Sequence, residues 1–316
     1  MIGSGEATAG TATADERRAA ERGQAQSGSG EAGAAVHYRP SATLSIWAEV
    51  RRQASRRRTQ LALGFMVLLP LIVLVAFEFG GGGDDDDGNG GGGFGSLVDL
   101  ATSGGLNFAL FCLAVSAGFL LVVVVALCCG DTVASEASWG SLRYLLAIPV
   151  PRGRLLGVKL IVALGYSLVA LLTLAGVALL AGTLRYGWHP LGSTVAAQIP
   201  AGQGLLRLLA VLGYLAVTLM VVAGLAFLLS VLTDAALGAV GGAVLLWILS
   251  SILDQITALG SIRNFLPTHF SDAWLGVLST PTQTDDMVKG AISAVCYATL
   301  FWALAFWRFT RKDITS

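Results

Sequence analysis

The side chains that could make charged contacts in mid-chain are concentrated between Glu136 and Lys159, a segment that separates two long apolar runs. On a helix, the large apolar residues of this segment share one side: Trp139, Leu142, Leu145 and Leu146. Glu136, Gly140 and Arg143 share another side. Pro149 lacks an N–H group and restricts the residue before it, so the helix must end there. We therefore expect an amphipathic helix on which the Glu136 carboxylate is unpaired and meets a donor on a partner.

Catalytic chemistry is not expected from the remaining residues. The chain has no Gly-x-x-x-x-Gly-Lys-Ser/Thr loop, so it cannot bind ATP in the P-loop manner by itself. It also has no nucleophile elbow and no His-based triad. The histidines, two of which would be needed to hold a haem inside a membrane, lie outside the predicted spans: His37, His189 and His269. The cysteines lie inside apolar runs, where they are typical of small buried hydrophobes: Cys112, Cys128, Cys129 and Cys296.

The acidic run Asp84–Asp87 is the other concentration of charge. Asp85-x-Asp87-x-Asn89-Gly90 matches the first half of a calcium-binding loop. Ser96 stands where such a loop needs a bidentate Glu, and no helix pair flanks the run. We interpret the run as a solvated acidic linker, with a cation site as the alternative, and we expect no metal site in this chain.

The composition predicts an integral membrane protein. Of 316 residues, 54% are hydrophobic and only 13% are charged, whereas soluble domains carry about a quarter charged residues. Six apolar stretches are long enough to cross a bilayer. They lie near Leu61–Phe79, Leu106–Cys129, Leu160–Gly182, Leu205–Leu232, Ala236–Thr257 and Val288–Trp307. The resulting fold class is all-α, with about six transmembrane helices.

The charged residues are segregated between the two sides of the predicted membrane. Cations are concentrated before the first span, between the second and third spans, and after the last: Arg51, Arg52, Arg56, Arg57, Arg58, Arg143, Arg152, Arg154, Lys159, Arg308, Arg311 and Lys312. The opposite connections carry Asp84–Asp87, Asp99, Asp272, Asp285 and Asp286, with only Arg185, Arg207, Arg263 and Lys289 as cations. By the positive-inside rule, both termini are predicted to be cytoplasmic, in a multi-pass protein of the cell membrane.

The chain is predicted to divide into a tail and a membrane domain. Residues 1–40 are rich in Ala, Gly, Ser, Thr and Glu, a composition typical of a disordered tail. Residues 41–316 are the predicted transmembrane domain. Within it, Leu44–Arg58 is interpreted as an interfacial elbow helix, with a plain positive flank of the first span as the alternative. Thr233–Ala235 can only be a tight turn between two spans.

The charged segment resembles the signature of type-2 permeases of ATP-binding-cassette exporters. That signature is a Glu, then Gly-Thr/Ser-Leu, a Leu-Leu pair, Pro-Val/Ile, an Arg, and a Lys at the next span. The corresponding residues here are Glu136, Gly140-Ser141-Leu142, Leu145-Leu146, Pro149-Val150, Arg152 and Lys159. The family usually has an Arg shortly after the Glu, whereas this chain has Ala137 and Ser138 there.

The resemblance implies that the chain is one half of an exporter. A second copy or a similar chain would complete the translocation path, and separate cytoplasmic ATPase subunits would bind the ATP and Mg, so no cofactor and no nucleic acid are expected on this chain. The segment Glu136–Ile148 would be a cytoplasmic coupling helix between the second and third spans. The residues assigned to ATPase coupling are Glu136, Trp139, Gly140, Ser141, Leu142, Arg143, Leu145, Leu146, Pro149, Arg152 and Lys159.

Three alternatives remain open at this level. The span interiors contain no Asp, Glu, Lys or Arg, which disfavours an ion-coupled secondary carrier and favours an apolar or amphipathic solute. A membrane scaffold or sensor subunit that transports nothing is the second alternative. In the third, the charged segment is an amphipathic connector lying on the membrane and binds no ATPase, since periodicity alone predicts both arrangements.

Overall fold

Helices account for nearly all of the regular structure. The computed structural model describes residues 46–80, 94–138, 152–192, 199–279 and 281–311, all within one compact unit, Leu44–Ser316. The α-helices in these ranges are α1 Ile46–Ala54, α2 Arg57–Gly80, α3 Phe94–Thr102, α4 Gly105–Ala117, α5 Leu120–Ser138, α6 Arg152–Tyr186, α7 Ala201–Leu232, α8 Ala236–Gln255 and α9 Asp285–Arg311. Two 3-10 helices, Thr257–Phe265 and Ala273–Leu278, connect α8 to α9. The described ranges contain no β-strand, so the predicted all-α class is confirmed.

Five of these helices are long and apolar enough to cross a membrane: α2, α6, α7, α8 and α9. Helices α4 and α5 pass the same test together, as a pair bent by 60°. The described residues therefore contain five to six helices able to span a membrane, in agreement with the predicted number. The predicted tail, residues 1–40, and the acidic run Asp84–Asp87 lie outside the described residues.

The bend between α4 and α5 divides an apolar stretch that is continuous in the sequence. Gly118, at the break, has no Cβ and a more flexible backbone than other residues, which weakens a helix interior. Two residues earlier, the Ser116 hydroxyl donates a hydrogen bond to the Cys112 carbonyl, at 2.6 Å, a contact that often bends helices. Hydropathy does not detect the bend, because the residues on both sides of it are strongly apolar.

Helix α7 lies at the centre of the bundle and packs against α5, α8 and α9. Small residues allow close approach: a Cβ built on Gly224 would lie 3.3 Å from the Cα of Ala298 on α9. Gly290, near the start of α9, faces Tyr214 of α7 in the same way. The two contacts run in the same order along both helices, so α7 and α9 are parallel.

The bundle has two ends that differ in character. At one end, Arg56, just before α2, donates to Asp131 of α5 at 2.9 Å, and the Ser230 hydroxyl of α7 accepts from the Val133 amide of α5 at 3.0 Å. The turn between α7 and α8 and the last residues of α9 belong to the same end. The turn contains Thr233–Ala235, as predicted. We call this end, which carries α1 and most of the arginines, the arginine-rich end.

The opposite end is formed by longer connections, and we call it the loop end. The amide of Gly105, which begins α4, donates to the Gly187 carbonyl, just after α6, at 3.0 Å. The Arg207 guanidinium of α7 donates to the Val277 carbonyl at 2.8 Å. Trp274 of the second 3-10 helix is buried. The Arg207 hydrogen bond and the burial of Trp274 hold the connection between α8 and α9 against the bundle.

Candidate functional site

A buried ion pair joins the ends of α5 and α6 at the arginine-rich end. Glu136 lies in the last turn of α5, and Lys159 lies in the second turn of α6. The Lys159 ammonium donates to Glu136 Oε1 at 2.6 Å, and these residues are only 2% and 3% exposed. The same ammonium lies 3.3 Å from Glu49 Oε1 of α1. One cation therefore contacts carboxylates from two other helices.

Arg52 of α1 completes the arrangement. Its guanidinium pairs with the Glu136 carboxylate and lies 3.6 Å from that of Glu49. We call these four residues, Glu49, Arg52, Glu136 and Lys159, the charge cluster. It contains two anions and two cations, so its formal charge is zero. Partial burial is the main cause that lowers the pKa of Arg52; Glu49 opposes this effect and Arg56 adds to it.

The balance of charge explains how four ionisable groups are kept in an apolar bundle. Removing ions from water is costly, and the cost is recovered only when opposite charges meet with good hydrogen-bond geometry. Loss of one member leaves an uncompensated buried charge, which typically costs about 3–5 kcal/mol. The cluster therefore fixes the relative positions of α1, α5 and α6 strongly.

A second contact links the start of α2 to the same part of α5. Asp131 is buried and accepts from Arg56 at 2.9 Å and from Arg58 at 2.7 Å. Arg56 also donates to the Ser135 hydroxyl at 3.1 Å. The final turns of α5 are thus held from two directions, by the charge cluster and by the arginines before and within the first turn of α2.

Helix α1 is oriented differently from a simple interfacial helix, because its polar side is buried against the protein. Glu49 and Gln53 are buried against the bundle, whereas Trp47 is 73% exposed. The Tyr166 hydroxyl of α6 donates to the Val50 carbonyl at 2.8 Å. The polar side of α1 therefore faces the protein and Trp47 faces outward, where an aromatic ring suits a lipid interface.

The structure places the residues predicted for coupling as follows. The side chains of Glu136 and Lys159 are in contact, so the expectation that Glu136 is unpaired is wrong. The end of α5 lies beside the start of α6, which brings the Lys159 ammonium within hydrogen-bonding distance of the Glu136 carboxylate. The side chain of Arg152, the first residue of α6, is outside the described set. The other predicted residues also lie outside the described residues: Trp139, Gly140, Ser141, Leu142, Arg143, Leu145, Leu146 and Pro149. Their assignment stays a prediction.

Three charged residues of these contacts were missed by the interpretation of the sequence, of which Glu49 and Asp131 are buried and Arg52 is partly exposed. Glu49, Arg52 and Asp131 were not singled out, since Arg52 belongs to a run of arginines that looks like an ordinary positive flank. A usable signal exists: Glu49 is a lone acid beside those arginines, and Asp131 directly follows an apolar run. Carboxylates in such positions are costly unless paired.

A metal centre is not apparent in the described part of the chain, where no three His, Cys, Asp or Glu side chains are placed to hold an ion. Cys112, Cys128 and Cys129 are buried within the bundle, in agreement with their interpretation as small buried hydrophobes, whereas Cys296 of α9 is exposed, so that interpretation is wrong for Cys296.

The chain belongs to a protein family without an assigned activity. The family model described as "Protein of unknown function (DUF2705)" matches residues 98–315, which include α5, α6 and the segment between them. No curated protein matches the chain.

Proposed function

We propose that this member of the DUF2705 family is the transmembrane subunit of an ATP-binding-cassette exporter. It would move an apolar or amphipathic substrate out of the cytoplasm, using ATP hydrolysed by a separate subunit. The observation that carries the proposal is the buried Glu136–Lys159 pair, because these residues are the first and last charged positions of the segment that resembles the exporter signature. The five to six apolar helices also support it.

The pair supports a mechanism for transmitting force. The ion pair between Glu136 and Lys159 joins the end of α5 to the start of α6. The segment between these residues is therefore anchored at both ends to helices that are held together. A push on that segment by closing ATPase subunits would therefore move α5 and α6 together. Glu49 and Arg52 would carry the displacement to α1, and α7, which packs against α5, would follow. Alternation between inward-open and outward-open states would then depend on ATP binding.

The orientation follows from the charges. The arginine-rich end would face the cytoplasm of the cell by the positive-inside rule, and the loop end would face outward. The ATPase subunits would then dock on the arginine-rich end, at residues 139–151 and neighbouring parts of α1. A second copy of the chain, or a similar one, would complete the translocation path across the membrane.

Copurification tests the proposal. The tagged chain is extracted from native membranes in a mild detergent, and the soluble proteins that follow it are sequenced. We expect an ATPase with a Gly-x-x-x-x-Gly-Lys-Ser/Thr loop, absent when the chain carries Gly140→Leu, because a bulky side chain would prevent close approach. Recovery of a kinase or another enzyme in place of an ATPase would favour a sensor or scaffold and refute the exporter.

A further inference from the structure

Three cavities follow one another from the loop end into the bundle. An open groove of about 1030 Å³ runs along the first turns of α9. A cavity of about 220 Å³ lies between the α4–α5 bend, α7, α8 and the connection that follows α8, and we call it the mixed cavity. An apolar cavity of about 180 Å³ lies between α5, α6 and α7. Asp272 lines both the groove and the mixed cavity, and Leu219 lines both the mixed and the apolar cavity.

The mixed cavity combines acidic, hydroxyl and aromatic groups. Its walls include the carboxylates of Asp254 and Asp272, the Thr218 hydroxyl and the indole ring of the buried Trp247. An aromatic face next to carboxylates is the environment that attracts organic cations, since the ring quadrupole and the anions act in the same direction. Among the residues that the structure describes, no lysine or arginine lines these walls.

The two carboxylates differ in how they are compensated. Asp254 Oδ1 lies 2.6 Å from His269 Nδ1 and 3.7 Å from Arg263 Nε. The Asp272 side chain has no ion-pair partner among the residues that the structure describes. Asp272 is an exposed residue at the junction of the groove and the mixed cavity. Its partial removal from water, and secondarily the nearby Asp254, raise its pKa, because both disfavour a further negative charge at this position. A cation in the mixed cavity would relieve both effects.

The apolar cavity continues the mixed one toward the middle of the bundle. It is lined by aliphatic side chains, among them Val125, Leu171 and Met220. Ser167 is the one hydroxyl-bearing residue among the described residues on its walls, and its hydroxyl donates to the Ala163 carbonyl at 2.9 Å and so is already satisfied. A cavity of about 150 Å³ with such a lining binds benzene, so this one has room for a ring or a short alkyl chain.

We propose that the mixed and apolar cavities together bind an amphipathic organic cation, with its ammonium head beside Asp272 and Trp247 and its apolar tail beyond Leu219. The inference rests on the proposed function in one respect: it identifies this class of molecule as the exported substrate. Leu219 is the partition between the head and tail sites, and its side chain turns aside when the tail enters. The open groove along α9 leads to the head site from the loop end.

Binding to the purified chain tests the site without any ATPase. The probe is radiolabelled hexyltrimethylammonium, measured by equilibrium dialysis against the chain in zwitterionic lipid nanodiscs, with empty nanodiscs subtracted. Tetramethylammonium has the same head without the tail, and hexanesulfonate has the same tail with the opposite charge. We expect the hexyl tail to strengthen binding by about tenfold or more through burial of its methylenes, and hexanesulfonate not to compete.

Three variants assign the effect to the proposed groups. Asp272→Asn should weaken hexyltrimethylammonium binding by about tenfold or more, the scale of one charge-assisted contact. Leu219→Trp should abolish the advantage of the hexyl tail over tetramethylammonium. Asp99→Asn, the same change at an exposed residue of α3, should leave binding unaltered.

Unaltered binding in Asp272→Asn, or equal binding of the probe and hexanesulfonate, would overturn the site. Since this assay contains no ATP and no partner, its failure is distinguishable from failure of the exporter proposal. If the chain binds the cation through Asp272 but recruits no ATPase, the binding site is supported and the exporter proposal is refuted.

Discussion

Replacement of Lys159 by Met would be the most severe test of the charge cluster. Met preserves an unbranched apolar stem but removes the ammonium that contacts Glu136 at 2.6 Å and Glu49 at 3.3 Å. The formal charge of the cluster changes from zero to minus one. Arg52, whose side chain is 40% exposed, would then be the remaining cation of the cluster and would have to satisfy both carboxylates.

The expected cost follows from burial. Removing one partner of a buried pair costs about 3–5 kcal/mol, against a total stability of about 5–15 kcal/mol for typical proteins. Arg185→Met is the matched control, because it breaks the pair between Arg185 and Glu78, whose side chains are 52% and 44% exposed. Exposed pairs contribute little to stability, because water and salt screen them. The two substitutions remove the same charge and differ mainly in burial.

Thermal unfolding in detergent is a convenient assay, because Cys112, Cys128 and Cys129 are buried and react with a thiol-specific dye only after unfolding. Cys296 is exposed and supplies a constant background. Lys159→Met should lower the midpoint far more than Arg185→Met, and titration with a denaturing detergent should give the difference in free energy.

A compensating variant makes the reasoning refutable in a second way. Lys159→Met combined with Glu136→Leu leaves Glu49 with Arg52, so the charge returns to zero. We expect the double variant to recover about half or more of the lost stability, because apolar replacement of a buried pair is often nearly neutral. Two results would refute the charge-balance explanation. One is a loss of stability in Lys159→Met that is no greater than the loss in Arg185→Met. The other is a double variant that loses the sum of the stabilities lost in Lys159→Met and Glu136→Leu alone.

Two further predictions concern packing and topology. Gly105→Ala should lower the unfolding midpoint, because the added Cβ would lie 2.6 Å from the Thr183 amide nitrogen, whereas Gly64→Ala, with nothing within 4 Å, should not. An unchanged midpoint in Gly105→Ala would show that α4 and α6 are packed less closely. Reporter fusions at Ser316 and within residues 81–93 should report opposite sides of the membrane, with Ser316 cytoplasmic, and the same side for both would contradict the topology.

The spans were predictable because the physical requirement is local. A membrane-crossing helix needs about 20 mainly apolar residues, and that requirement is visible in any window of the sequence. The predicted spans Leu61–Phe79 and Leu205–Leu232 accordingly lie within α2 and α7. The bend at Gly118 was not predicted, since a single glycine in an apolar run is compatible with a straight helix as well.

The charge cluster was only partly predictable, because it depends on contacts between distant parts of the chain. Helical periodicity relates residues three or four apart, whereas Glu136 and Lys159 are 23 residues apart and Glu49 is 110 residues from Lys159. The residue types were recognised as a pattern, but their mutual pairing requires the antiparallel arrangement of α5 and α6. The cavities at Asp272 and Leu219 are likewise products of packing.

ATP-driven transport by the reconstituted complex tests the central claim most directly. The chain is incorporated into vesicles with the ATPase that copurifies with it, and accumulation of hexyltrimethylammonium is measured with ATP or with a non-hydrolysable analogue. The account predicts transport that requires hydrolysis, is lost in Gly140→Leu together with stimulated ATP turnover, and persists in Gly64→Leu at an open position of α2. Full ATP-dependent transport by the Gly140→Leu variant, or no transport by the unmodified complex, would contradict it.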